Sequence, residues 1–193
     1  MISQLEILRS LYGAWRLARL DAGGMQYFVR THEGALRSFF AALIALPPFL
    51  IIEADILAYQ IAQNGLLVAV AIQAIFYVIR WTAFPVLMMT ILSVFGVPEK
   101  FVDFLVAYNW GNVIQIAIFL PVLLLQWMTP GAAFLDLAYW ITIGVLMGYV
   151  WFVIRTATGL SDTVVVGFVV LDLIVALMVF FVSVSILGLP TST

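Results

Sequence analysis

The sequence predicts an all-α polytopic membrane protein with five transmembrane helices, preceded by an amphipathic helix at the membrane surface. The 193-residue chain is 65% hydrophobic and only 9% charged, whereas soluble domains are typically about a quarter charged. Five apolar stretches also reach the roughly 20 residues that a helix needs to cross the hydrocarbon core. A soluble fold of this length has too little interior to bury so much apolar surface, so lipid must be part of the solvent.

Short, turn-rich joints separate the five predicted spans, which makes successive helices antiparallel neighbours. The spans are residues 38–59, 65–97, 102–127, 132–154 and 163–189. They divide the chain into a cytoplasmic segment at 1–37, a five-helix bundle at 38–189 and an exterior tail at 190–193. The first residues lack the basic and apolar regions of a signal peptide, so we expect the N-terminus to be retained.

The second stretch, residues 65–97, allows two interpretations. As one helix it would be about 50 Å long, longer than the hydrocarbon thickness of about 30 Å, with Pro85 offering a kink. As a re-entrant hairpin turning at Arg80 and Trp81, each half would be too short to cross. The two alternatives place all later residues on opposite sides of the membrane.

The basic residues favour the full crossing. Lysine and arginine prefer the cytoplasmic side, and five crossings with the N-terminus inside place every basic residue except Arg80 there. Glu53, Asp55 and Asp136 then fall near the outer face. We therefore expect a bacterial inner-membrane protein with a cytoplasmic N-terminus and an exterior C-terminus.

Residues 2–20 predict a two-sided helix lying in the membrane interface. Large apolar residues recur at steps of three and four: Leu5, Leu8, Tyr12 and Trp15. The opposite side carries Glu6, Arg9, Gly13 and Arg16. The residues expected at the membrane surface are Arg9, Trp15, Arg16 and Arg19. The alternative is a helix that packs on the cytoplasmic loops of the protein itself.

One arginine marks the candidate site. Arg80 is the only ionisable side chain other than tyrosine between Gly65 and Val97, and a guanidinium at that depth costs from roughly 3 to over 10 kcal/mol unless a partner or water stabilises it. Polar residues at helical spacing share a face with it or lie at similar depth. The predicted buried polar site comprises Gln73, Tyr77, Arg80, Asn109, Asn112, Gln115 and Asp172.

Within this site we predict that Arg80 pairs with Asp172. Both were placed at similar depth, with the long arginine side chain reaching toward the cytoplasm. Asn112 and Gln115 are expected to complete the hydrogen bonds. The pair has two interpretations: a substrate, lipid-headgroup or proton site, or a neutral buried pair that orders the bundle.

Motifs for catalysis and cofactors are absent from the sequence. It has no cysteine and a single histidine, His32, in a polar connector, whereas metal and triad sites need companions. No phosphate loop, zinc-protease motif or nucleophile elbow occurs. We expect no enzyme activity, no cofactor and no nucleic-acid partner. Gly144 and Gly148 in the fourth span are expected to permit close helix packing within the bundle, with dimerisation as the alternative.

The arrangement of five spans after a cytoplasmic segment resembles the Yip-type five-span membrane protein family. Residues 80–85 (RWTAFP) and 106–110 (VAYNW) are similar to segments of bacterial members. The acidic Leu-Tyr-Gly-Pro motif of eukaryotic members is absent, because Leu11, Tyr12 and Gly13 precede an alanine. The resemblance implies a non-enzymatic protein of trafficking, membrane organisation or complex assembly, and it carries no functional residue over.

Three functions remain open from the sequence. The first is a non-enzymatic membrane protein that organises or assembles membrane components. The second is a small transporter or channel that uses the buried Arg80 site, which a water-accessible cavity reaching Arg80 would favour. The third is an accessory subunit of a larger membrane complex. Membrane lipids, and other integral membrane proteins, are the expected partners.

Overall fold

The structure, a computed structural model, describes residues 2–187, and every regular element in that range is helical. The α-helices are α1 (Gln4–Ala18), α2 (His32–Ser38), α3 (Phe40–Ile52), α4 (Ala54–Asn64), α5 (Leu66–Val94), α6 (Phe101–Met128), α7 (Ala133–Thr158) and α8 (Asp162–Leu187). Short 3-10 helices cover Ala22–Tyr27 and Pro98–Lys100. The predicted tail at 190–193 lies outside the described residues.

The predicted fold class is confirmed. Within residues 2–187, five helical segments are long and apolar enough to cross a membrane, and α2 and α3 together form the first of them. The second apolar stretch is one continuous helix of 29 residues, α5. The re-entrant alternative at Arg80 and Trp81 is therefore wrong.

The predicted first span, 38–59, is wrong at both ends. Its helical segment begins at His32 and ends at Ile52. Glu53 leaves the helical conformation with φ −95° and ψ 11°, and residues 54–64 form the separate helix α4. Gly65, at φ +82°, then turns the chain back so that α4 packs against α5. No glycine, proline or asparagine marks the break at Glu53, so local sequence signals do not reveal it.

Helix α6 is the central element of the bundle. It packs against α1, α2, α3, α5 and α7, and eight consecutive residues from Phe104 to Gly111 are buried. Burial all around a helix requires neighbours on every side. These neighbours meet at one end of the bundle, which we call the α1 end and which carries the α5–α6 and α7–α8 connections. The opposite end, the far end, carries the α4–α5 and α6–α7 turns.

Helix α1 packs on the bundle through its small residues. Ser10, Gly13, Ala14 and Leu17 are buried, and the Tyr149 hydroxyl of α7 donates a 3.0 Å hydrogen bond to the Ala14 carbonyl. The large apolar residues predicted to face lipid are uncovered and 48 to 65% exposed: Leu5, Leu8, Tyr12 and Trp15. Helix α1 therefore packs on the protein itself, while its interpretation as a helix in the membrane interface stays a prediction. The placement of Gly13 on a polar side is wrong.

A charged clasp fixes the chain that follows α1. The Arg16 Nε donates to Asp21 Oδ2 at 2.6 Å, and Arg16 Nη1 donates to the Tyr27 hydroxyl at 3.1 Å. The Arg16 hydrogen bond and the Gly23 amide hold the pKa of Asp21 below its usual value. Arg16 was predicted as a membrane-surface residue, but its guanidinium is held by these partners within the protein.

Two glycines allow the backbone to pack closely at the α1 end. A Cβ on Gly34 would lie 2.0 Å from the Val29 carbonyl oxygen, and one on Gly24 would lie 2.4 Å from the Gly13 carbonyl oxygen. At Gly144 and Gly148 an added Cβ would meet nothing within 4 Å. The expectation that this second pair permits close packing within the bundle is therefore wrong.

Alanine at Gly34 should destabilise the protein by about 1 to 3 kcal/mol, because the overpacked atom is backbone and cannot move aside. The matched control is Gly148→Ala, which should be neutral or stabilising by up to about 1 kcal/mol, since alanine favours a helix over glycine. Thermal unfolding in detergent, followed by size-exclusion chromatography, measures both. Equal midpoints for the two variants would contradict the close approach.

Candidate functional site

Arg80 is paired inside the bundle, but with a residue other than the one predicted. Its Nη2 atom lies 3.2 Å from the Oε1 atom of Glu53, and its guanidinium stands 5.4 Å from the centre of the Phe49 ring. The Glu53 side chain is only 9% exposed and that of Arg80 31%. The predicted pair of Arg80 with Asp172 is wrong.

The direction of side chains on a helix explains this correction. Each Cα–Cβ bond tilts toward the N-terminus of its own helix. Helix α5 starts at the far end, so Arg80 is directed there, toward the end of α3 where Glu53 lies. Helix α8 starts at the α1 end, so Asp172 is directed the opposite way. Similar depths of the two Cα atoms therefore do not bring the charges together.

Asp172 has its own partner. The Tyr108 hydroxyl of α6 donates a 2.7 Å hydrogen bond to Asp172 Oδ1, and Tyr108 is only 7% exposed. Tyr108 thus separates the two charged groups and contributes to both surroundings. Asp172 is thus a half-buried carboxylate that accepts a hydrogen bond from a hydroxyl, and not the anionic half of the predicted ion pair.

A cavity of about 300 Å³ reaches Arg80 between α3, α5 and α6. We call it the Arg80 cavity. Its polar lining is Glu53, Tyr77, Arg80, Asn112 and Gln115, with Tyr108 at one wall. The rest of the lining is apolar and comprises Phe49, Ile52, Trp81, Ile116 and Phe119. A concave, mainly apolar site with a few converging polar groups is typical of small-ligand binding.

Two smaller cavities continue on the other side of Tyr108. One of about 160 Å³ is lined by Arg80, Tyr108 and Asp172 together with apolar residues of α5 and α8. Another of about 190 Å³ borders both Gln115 and Asp172. Arg80 and Asp172 therefore line one common space, although no ion pair joins them.

The structure brings together four further residues of the predicted site only in part. Gln115 Nε2 donates to Asn112 Oδ1 at 2.8 Å, one turn apart on α6, so these two amides bind each other and not Arg80 directly. Asn109 lies elsewhere, donating to the Ser38 hydroxyl at 2.8 Å between α6 and α2. Gln73 borders a separate apolar cavity between α3, α4 and α5.

Tyr77 connects the cavity wall to α3. Its hydroxyl donates a 2.6 Å hydrogen bond to the Ala42 carbonyl, and its ring lies 4.6 Å from that of Phe49. Tyr77 and Arg80, which the sequence predicts on one face of α5, therefore both line the cavity.

Sequence reasoning missed Glu53, Tyr108 and Gln60. A signal for Glu53 existed, because an acid directly after the apolar run of α3 is a candidate partner for a lone buried arginine. Gln60 of α4 is 0% exposed and neither atom of its amide has a partner among the described residues. No sequence pattern distinguishes it from a solvated glutamine.

The polar lining of the site has the donors and acceptors to bind a polar group. Among residues 2–187, no three histidine, aspartate or glutamate side chains come close enough to hold a metal ion. The Nε atom of Arg80 is buried and has no hydrogen-bond partner in the described part of the chain. Buried donors are almost always paired, so this unpaired atom, beside a cavity, points to ligand binding.

Comparisons with protein-family models, with curated proteins and with solved structures found no match for this chain. The resemblance to the Yip-type family therefore stays a prediction. What can be inferred about function comes from the geometry of the Arg80 cavity and of α1.

A double-mutant cycle tests the pairing. Arg80→Gln and Glu53→Gln should each lose about 2 kcal/mol, because each leaves the other charge inside the bundle without its partner. Together they should lose clearly less than the sum of the two effects. The measurement is the free energy of unfolding in mixed detergent micelles.

The control cycle replaces Glu53→Gln with Asp172→Asn. The effects of Arg80→Gln and Asp172→Asn should come closer to additivity, since no contact joins the two side chains. A larger coupling energy between Arg80 and Asp172 than between Arg80 and Glu53 would contradict the observed pair and favour the pair of Arg80 with Asp172.

Proposed function

We propose that this protein is a non-enzymatic membrane protein that binds a small polar or amphipathic ligand in the Arg80 cavity, in the manner of a transporter or channel. This is the second of the functions that the sequence left open. The observation that supports it is a cavity in the middle of a five-span bundle that reaches an ion-paired arginine.

A purely structural ion pair is a weaker explanation of this cavity. Such a pair gains most when it is closely enclosed and every polar atom is satisfied. Here the pair of Arg80 and Glu53 lies beside a space of about 300 Å³, at the lower end of the volumes of ligand sites. At about 30 Å³ per water in the liquid, the space has room for several waters or for one small polar group.

The exposed side of α1 supports a second role, at the membrane surface. This role corresponds to the first function left open by the sequence, that of a protein that organises or assembles membrane components. Leu5, Leu8 and Trp15 are uncovered beside five membrane-spanning segments. Arg9 lies on the same helix, and Arg19 directly follows its last residue. A helix with apolar and basic residues of this kind inserts into the interface of an anionic leaflet. Membrane lipids are therefore the proposed partners of α1, and it can anchor other components at the surface.

The charge distribution supports an orientation with the α1 end in the cytoplasm. Every lysine and arginine except Arg80 lies at the α1 end: in α1, in the segment between α1 and α3, in the α5–α6 connection, or, for Arg155, in the last turn of α7. This is the pattern of the positive-inside rule. In a bacterial inner membrane the N-terminus is then cytoplasmic and the far end faces outward.

Cysteine accessibility tests the proposed function, and the chain contains no native cysteine to remove. Asn112→Cys, on the cavity wall, should react with a small hydrophilic methanethiosulfonate reagent in membranes, because the cavity admits water. Val145→Cys is the control at matched depth on α7, where the side chain is 56% exposed on the bundle surface and should face lipid, in which thiolate does not form.

Reaction rates measured by mass shift should be far greater for Asn112→Cys than for Val145→Cys. Ile116→Cys provides a second cavity position where no hydrogen bond is lost. Equal, slow rates at both cavity positions and at Val145→Cys would rule out a water-accessible site and with it the transporter-like function.

Labelling from one side tests the orientation. In intact cells a membrane-impermeant maleimide should label Met128→Cys, at the far end, without lysis. Glu99→Cys, in the α5–α6 connection, should be labelled only after lysis, because five crossings put it in the cytoplasm. The reverse pattern would place the N-terminus outside.

A further inference from the structure

Building on the proposed function, we infer that the Arg80 cavity binds a zwitterion: a molecule that carries a primary ammonium and an oxyanion a few ångströms apart. A phosphoethanolamine headgroup and a free amino acid share this chemistry. The inference goes beyond a binding cavity because it specifies two opposite charges on one ligand.

The charges of the cavity wall select for a ligand of this kind. Arg80 and Glu53 contribute one positive and one negative group, and they are paired with each other. A simple anion that bound Arg80 in place of Glu53 would leave the buried Glu53 carboxylate without its partner. A simple cation that bound Glu53 would likewise leave the Arg80 guanidinium without its partner. Breaking a buried pair by removing one partner is strongly unfavourable, whereas a zwitterion provides a partner for each.

The arginine side of the pair can bind an oxyanion more fully than it binds Glu53. Nε and Nη2 lie on the same edge of a guanidinium, and that edge matches the two oxygens of a carboxylate or phosphate. Glu53 contacts Nη2 at 3.2 Å, while Nε is buried and unpartnered. An oxyanion that bridges both nitrogens therefore gains a hydrogen bond that the resting pair lacks.

The glutamate side is placed to accept an ammonium. Glu53 lies at the junction between α3 and α4 and lines the Arg80 cavity, so its carboxylate borders the space that an ammonium would occupy. A primary ammonium offers three donors to that carboxylate. A quaternary ammonium offers none, so the site should discriminate between the two.

The apolar wall suits the remainder of a lipid. Phe49 and Phe119 line the same cavity as the ion pair. The methylene groups of a lipid can therefore contact these rings while its charged headgroup reaches Arg80 and Glu53. The nearby carboxylate of Asp172 lies beyond Tyr108, whose hydroxyl it binds, and is not needed for the zwitterion.

Native mass spectrometry of the delipidated full chain in mild detergent tests the inference. The probes, at equal concentration, are phosphatidylethanolamine, phosphatidylcholine, phosphatidylglycerol and a synthetic cationic lipid with a single ammonium. The unsubstituted protein should retain phosphatidylethanolamine about tenfold more than each of the others, the ratio that corresponds to one charge-assisted hydrogen bond.

Variants assign each charge of the ligand to its partner. The Glu53→Gln variant should no longer prefer phosphatidylethanolamine to phosphatidylglycerol. The Arg80→Gln variant should no longer prefer phosphatidylethanolamine to the cationic lipid. Arg80→Lys keeps the charge without the two-nitrogen edge and should bind weakly while remaining folded. Arg155→Gln removes an arginine that pairs with Asp162 at the α7–α8 connection and should retain the full preference.

Soluble competitors separate the two sources of this chemistry. If O-phosphoethanolamine or glycine at millimolar concentration displaces the bound lipid, the site takes the free zwitterion; if neither does, it takes the lipid. Equal retention of all four lipids, or unchanged retention in a folded Arg80→Lys variant, would overturn the inference. A reactive Asn112→Cys combined with equal lipid retention would leave the proposed function standing and refute the zwitterion alone.

Discussion

The pairing of Arg80 with Glu53 is the constraint on which the interior of this protein depends. A single guanidinium in the middle of an apolar helix needs a partner from another helix. Glu53 provides it only because the chain breaks between α3 and α4 and places an acidic residue inside the bundle. The break, the α4–α5 hairpin and the cavity beside the pair are therefore parts of one arrangement.

The bundle is packed unevenly along its length: one end is closely packed, and the other part contains the cavities. At the α1 end, α6 is enclosed over eight consecutive residues, and glycines bring backbones into contact. The Arg80 cavity and the smaller spaces near Asp172 lie between the helices farther along the bundle. A rigid base that supports a less closely packed half is a suitable framework for a ligand site, because binding there does not disturb the core.

Much of the fold could be predicted from the sequence, since the length of an apolar run sets whether a helix can cross a membrane. The long helix around Arg80 followed directly from such a run, and the three- and four-residue spacing of apolar residues predicted a helix where α1 lies. The break at Glu53 could not be predicted in this way, because no local sequence signal marks it and only the contact with Arg80 in the folded chain distinguishes the position. The partner of Arg80 was missed for a related reason: depth counted along a helix ignores the direction in which its side chains point. Tyr77 and Asn112 line the cavity together with Arg80, whereas Asn109 forms a hydrogen bond between α6 and α2.

The most direct measurement of this account is a cryo-electron microscopy map of the protein in lipid nanodiscs at side-chain resolution. It should show the Arg80 guanidinium in contact with the Glu53 carboxylate, at the edge of a space that Asn112 borders. Density that places Arg80 on Asp172, or among acyl chains outside the bundle, would contradict it.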